Sequence, residues 1–224
     1  METPPNSAFL DECLTRPVLD RIRHFETLRQ RAADAGHAPG PVADAFPPHL
    51  GCLTPQMRDL DDDTARTYIH EATQISRAAA TLPDDVVEAI QFLLWRPSRA
   101  QLLKTLTAMC NLAAPATLGN ETETMLILMS RFVETFHRLK ESEWTRPGLE
   151  PVIANTTQTV RYLEQSTGFR VLRCSLLGSE SGPQIIPLLL LLGREETVWR
   201  MEAARDVLKS LRGHNPARGP AFDT

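Results

Sequence analysis

Apolar residues recur along most of this chain at spacings of three and four, the interval that gathers them on one side of a helix and leaves the other side to water. One segment departs from that rule. Ile185-Ile186-Pro187-Leu188-Leu189-Leu190-Leu191-Leu192 is apolar at eight consecutive positions, so no side of it can face solvent cheaply. One-faced helices closing around an all-apolar segment satisfy both patterns at once, which predicts an all-α fold: a single irregular helical bundle of about six to eight helices around this buried segment.

The elements follow in order. Thr15 and Pro17 suit a helix start, and Val18, Ile22, Phe25, Leu28 and Ala32 then form one stripe that ends near Gly36. Residues 36–55 are rich in proline and glycine and predict a linker or wrapping loop with no regular element. Tyr68, Ala72, Ile75, Ala79 and Leu82 mark a long helix between Met57 and Leu82, and Pro83 opens a shorter one that runs through Trp95 until Pro97 stops it. Ser98 with Gln101, and Asn120 with Glu123, are capping-box signatures for the next two helices, the second presenting Met125, Met129, Phe132 and Phe136. Pro147, Gly148 and Pro151 separate that helix from Val152–Thr167, where Thr156, Thr157 and Thr159 fit a strand as well as a helix. Phe169–Leu177 reads as a short helix or irregular, Gly178–Gly182 as a loop, and Arg194–Arg212 as the last amphipathic helix. The domain plan is a flexible lead over residues 1–14, one helical domain over 15–213 with the loop at 36–55, and a disordered tail over 214–224.

Composition adds constraints without naming a function. A formal net charge of -4 and a pI near 5.9 give the whole chain no electrostatic pull toward phosphate. Cys13, Cys52, Cys110 and Cys174 form neither a CxxC pair nor a zinc-type cluster and read as free thiols. The apolar run is shorter than the roughly 17 to 25 residues a membrane-spanning helix needs, and the N-terminal residues have no apolar signal core; an intracellular location, cytoplasm or nucleus, is expected.

Candidate chemistry is sparse. Asp59, Asp61, Asp62 and Asp63 could hold Mg²⁺ against a diphosphate, but helix capping explains them too, and no second acidic motif stands out. Glu134 and His137 have the Glu-x-x-His spacing of a di-iron helix, yet Phe136 fixes the core face and turns both away from it. His70-Glu71 lacks the second histidine of a zinc protease, Gln74 standing in its place, and there is no nucleophile elbow, P-loop or dinucleotide fingerprint. Two basic groups, Arg96 with Arg99 and Lys104, and Arg170 with Arg173, read as scattered solvation with acids interspersed.

By elimination the sequence points to a non-enzymatic helical interaction or assembly protein without cofactor or metal, recognising another protein or itself. The terminal helix carries more apolar surface than one core face needs, which makes Trp199 and Ala203 a candidate interface. Two alternatives stand beside this reading: a coat-like or nucleoprotein-like RNA-binding structural protein, and a Mg²⁺-dependent all-α enzyme using the Asp59–Asp63 cluster.

Overall fold

A computed structural model describes residues 15–34, 50–58, 62–76, 83–112, 118–160 and 165–213. The lead, most of the 36–55 loop, the Leu82 end of the long helix and the tail lie outside these. The described elements are Thr15–Asp34 (α1), Leu50–Leu53 (β1), Pro55–Arg58 (α2), Asp62–Ser76 (α3), Pro83–Leu94 (α4), Trp95–Pro97 (β2), Arg99–Leu112 (α5) and Leu118–Arg138 (α6). After a 3-10 turn at Glu141–Glu143 come Arg146–Gln158 (α7), Gln165–Leu177 (α8) and Ile185–Gly213 (α9). The expected all-α class holds, since the two short strands are the exception in a helical chain.

Three local predictions need correction. Leu50–Leu53 is a strand, paired antiparallel with Trp95–Pro97 at Leu50↔Pro97 and Leu53↔Trp95; the helix before Pro97 therefore ends at Leu94. Proline is tolerated there because it stands at the end of the short ladder. Pro147, Gly148 and Pro151 do not separate elements but lie inside α7. Pro147 falls in the first turn, where a missing N–H costs nothing, and Gly148 leaves room for the Glu143 carbonyl, into which a Cβ would collide. Thr156 and Thr157 are helical, and the hydroxyls need no strand, because that of Thr157 donates to the Ile153 carbonyl at 2.9 Å and that of Thr159, just past the end of α7, to the Thr156 carbonyl at 2.7 Å. Finally, Leu190 is 38% exposed although Leu188, Leu189 and Leu192 are buried, so the apolar run does have a wet side.

The chain gathers into two compact units, one drawn from Met1–Ser98 and Gly182–Leu192, the other from Arg99–Ser181 and Gly193–Thr224. In the first, α1 packs on α3 and α4, and α4 carries β2, which pairs with β1. Val18 and Ile22 of α1, Ala72 of α3 and Ile90 and Leu93 of α4 are buried, as are Ile185, Leu188 and Leu189 of the apolar run. Tyr68 donates to the Leu93 carbonyl at 3.2 Å, and the Thr54 backbone N–H to that of Leu94 at 2.8 Å, which satisfies carbonyls left open at the end of α4.

In the second unit α6 packs on α5, α7 and α8, and α8 packs on α5 and α7. Phe132, Phe136 and Trp144 pack in sequence, with ring centroids 5.7 and 5.4 Å apart, the second pair edge to face. Gly168 brings α8 close to α7, because a Cβ there would strike the Thr157 side chain. The C-terminal part of α9 joins through Arg200, whose side chain is 0% exposed beside Glu196 at 1%. Arg200 Nε donates to Glu196 Oε1 at 2.8 Å, and its Nη1 to the Leu176 carbonyl at 2.7 Å in the last turn of α8. The same guanidinium thus neutralises a buried carboxylate and caps a neighbouring helix. At Gly193 the backbone turns to φ 72, ψ 169, a region open to glycine alone, and there the chain passes from one unit to the other.

Arg200→Leu strands the Glu196 carboxylate and should cost about 3 to 5 kcal/mol in urea unfolding. Pairing it with Glu196→Leu should recover a large part of that loss, as removal of both charges leaves neither unsatisfied.

Candidate nucleic-acid interface

The two basic groups, some seventy residues apart in the chain, lie largely on two packed helices, Arg99 and Lys104 on α5 and Arg170 and Arg173 on α8. Both helices hold the loop that follows α8. From α5, Gln101 Nε2 and Thr105 Oγ1 each donate to the Gly178 carbonyl at 2.6 Å. From α8, Arg170 forks onto the Glu180 carboxylate at 2.9 and 2.7 Å, and Arg173 Nη1 donates to the Glu180 carbonyl at 3.3 Å. Gly178, at φ 64, turns the backbone so that these contacts come from both helices. Lys104 stands in the same turn of α5 as Gln101 and Thr105 and is exposed. Arg99 reaches Ser210 of α9 at 3.5 Å.

What sets this surface apart is the scarcity of acids. No Asp or Glu occurs between Glu88 and Glu121, or between Glu164 and Glu180, so α5 and α8 carry none at all. Among the described residues, Lys104 and Arg99 have no carboxylate at ion-pair distance. Elsewhere in the second unit, Arg131, Arg146, Arg205 and Lys209 each meet an acid within a turn of their own helix, at 3.0 to 3.9 Å. The whole-chain charge conceals the same asymmetry. Residues 99–181 and 193–224 hold 15 Lys and Arg against 13 Asp and Glu (+2), and the remainder holds 9 against 15 (−6). The acidic excess that argued against phosphate belongs to the first unit. The signal missed in the sequence was thus the acid-free run around α5, and the packing of α5 on α8 could not be seen there.

Cys174 lies between Arg170 and Ser175 on α8 and is buried. Burial, helped by the Glu180 charge, pushes its thiol up from 9.0 to about 12. It is therefore a core residue rather than a nucleophile.

The other candidate residues do not come together. Asp59 and Asp61 lie outside the described residues, Asp62 opens α3, and exposed Asp63 pairs with Arg66 at 3.9 Å. Glu134 pairs with Arg131, while His137 meets Glu202 at 3.4 Å, so the Glu-x-x-His residues serve different partners. His70 contacts Gln74, one turn on, at 2.7 Å. Among the described residues no group of three or more His, Cys, Asp or Glu is placed to hold a metal ion, and no helix is long and apolar enough to cross a membrane. Trp199 is 43% exposed on α9, with half-buried Ala203 one turn further on, whereas Trp95 and Trp144 are buried.

A family model described as an anticodon binding domain matches residues 42–205. The chain belongs to that family. Its membership overturns the expectation of an assembly protein that recognises another protein or itself, and favours the RNA-binding alternative. A charge averaged over both units hides the acid-free stretches of α5 and α8. No curated protein matches the chain. Among solved structures, a glutamate tRNA ligase from Elizabethkingia meningosepticum in complex with its amino acid is 16% identical over 91% of this chain, with a TM-score of 0.48. A glutamate-tRNA synthetase from Elizabethkingia anophelis is 16% identical over 89%, with a TM-score of 0.45. The chain spans 31% and 30% of the length of those two proteins.

Two outcomes are expected of the free protein. Cys174 should stay unlabelled by a thiol reagent at pH 8 until the protein is unfolded. Because its folded pKa is raised, the stability it lends is whole below the unfolded value and should fall as pH climbs from about 9 toward 12. Trp199→Ala should leave the melting temperature within a degree or two, since the ring is not part of the core.

Proposed function

We propose that this chain binds tRNA at its anticodon arm, with the α5 and α8 surface facing the phosphate backbone. The observation that carries the reading is the match to an anticodon binding domain over residues 42–205. The local chemistry agrees with it. Arg99 and Lys104 project from a helix without acids, and a cation that has no carboxylate to leave can neutralise a phosphate at little cost. The exposed ring of Trp199 offers a stacking face to an unpaired base, a contact that tolerates any base identity. Sequence choice would then rest on edge contacts, and affinity on the basic helices. Such a partner also suits an intracellular compartment.

Binding of fluorescent total tRNA to the full chain tests this, with a DNA duplex of similar length as competitor. tRNA should bind with an affinity that falls as salt rises, and the duplex should compete poorly. Lys104→Ala should weaken tRNA binding about tenfold and flatten the salt slope by about 0.7 to 0.9, leaving the melting temperature unchanged. Retention of full affinity in a Lys104→Ala, Arg99→Ala double variant would remove α5 from the interface.

A further inference from the structure

Two of the Arg–Glu pairs among the described residues are of very different character. Arg200 and Glu196 are sealed from water, and nothing could replace either partner without opening the core. Arg170 and Glu180 make the closer two-point contact, at 2.7 and 2.9 Å, yet their side chains are 36% and 38% exposed. A pair at the surface gives little net stability, because water and counterions compete with each charge. Its partner can be exchanged for another anion of similar shape.

The shape in question is specific. A guanidinium fork gripping two oxygens of one carboxylate is in the geometry it uses to grip two oxygens of one phosphate. Glu180 is also the only acid in the loop that joins α8 to α9, and both Arg170 and Arg173 of the acid-free α8 reach it. The loop is built so that Glu180 can move while its root stays in place. Gly178 is tied to α5 by Gln101 and Thr105, whereas Gly182, at φ 145, lies beyond Glu180. Rotation between those two glycines would carry the carboxylate away without unfolding α8. Arg173 also ties this segment by a 3.3 Å bond to the Glu180 carbonyl, which is long and involves the backbone rather than the carboxylate, while the 3.2 Å contacts between Ser179 and Ser181 lie within the loop itself.

We infer that Arg170 is a site for an RNA backbone phosphate, and that Glu180 occupies it in the free protein as a built-in substitute that RNA displaces. This rests on the tRNA-binding reading and adds to it a named contact and a competing acid. The acid keeps the fork aligned before RNA arrives, and it raises the threshold for polyanions that cannot place a phosphate at this point. Loss of Arg170 and loss of Glu180 should therefore act in opposite directions.

Three variants of the full chain, Arg170→Gln, Glu180→Gln and the double variant, are compared with the parent for tRNA binding over a range of salt, with thermal unfolding alongside. Glu180→Gln should bind about three- to tenfold more tightly. Arg170→Gln should bind more weakly, with a salt slope smaller by about 0.7 to 0.9. The double variant should show the weak binding and reduced slope of Arg170→Gln, because the gain needs the arginine. If Glu180→Gln binds no better than the parent, or Arg170→Gln leaves the slope intact, the inference is overturned while tRNA binding itself stands. Equal losses of affinity and melting temperature in both single variants would mark the pair as structural and overturn it as well. Absence of tRNA binding in the parent and in Glu180→Gln would bring down the functional reading together with this one.

Discussion

The second unit depends on a charge that has no access to water. Arg200 is held between Glu196, one turn before it on the same helix, and the Leu176 carbonyl at the end of α8, with donor distances of 2.8 and 2.7 Å. A buried pair of this kind adds little stability over apolar residues of the same size, but losing either half is expensive. Its effect is on arrangement. The fork fits one relation between α8 and α9, and the end of α8 is where the Gly178–Glu180 loop begins, held there by Gln101 and Thr105 of α5. The alignment of the proposed interface is thus set from the core side by Arg200 and from the solvent side by Gln101 and Thr105.

Charge in this chain is divided by place. The first unit carries the acidic excess, and the second carries a slight basic one. Within the second unit Arg131, Arg146, Arg200, Arg205 and Lys209 are each neutralised by an acid one helical turn away, whereas Arg99 and Lys104 of α5 have no such neighbour among the described residues. A protein with an overall charge of -4 can in this way present a basic surface without a strongly basic sequence. The balance has a physical benefit, because a field confined to one face attracts an anion there without holding polyanions everywhere else.

How much of this could be read from the sequence depended on the range of the interaction. α1, α4 and α5 were legible because each is set by spacing and by residues within a turn or two. β1 and β2 were not, since strands of four and three residues have no periodicity to detect and find each other across 42 positions. α7 was misjudged at its start because Pro147 and Gly148 read as breakers, yet both suit the turn in which they stand. Arg200 could have been found. At about 100° per residue it lies between Val207 and Ala204, on the line of the core, and Glu196 precedes it by four. A basic residue on an apolar stripe with an acid one turn away is the signature of a buried pair. The interface itself was out of reach, because it joins two groups of cations through the packing of α5 on α8.

The order in which the units take up the chain bears on how the protein is made. The N-terminal unit includes Gly182–Leu192, a piece that follows 83 residues belonging to the other unit. On a ribosome, residues up to Ser98 emerge first, but the apolar run that belongs with them arrives only after α5 to α8 have been synthesised. The first unit therefore cannot be completed in the order of synthesis. It waits with apolar surface uncovered until Leu192 is out, and the second unit is closed by residues from Gly193 onward. Folding is nested rather than sequential, and a fragment cut at Ser98 would be an incomplete unit rather than an isolated domain.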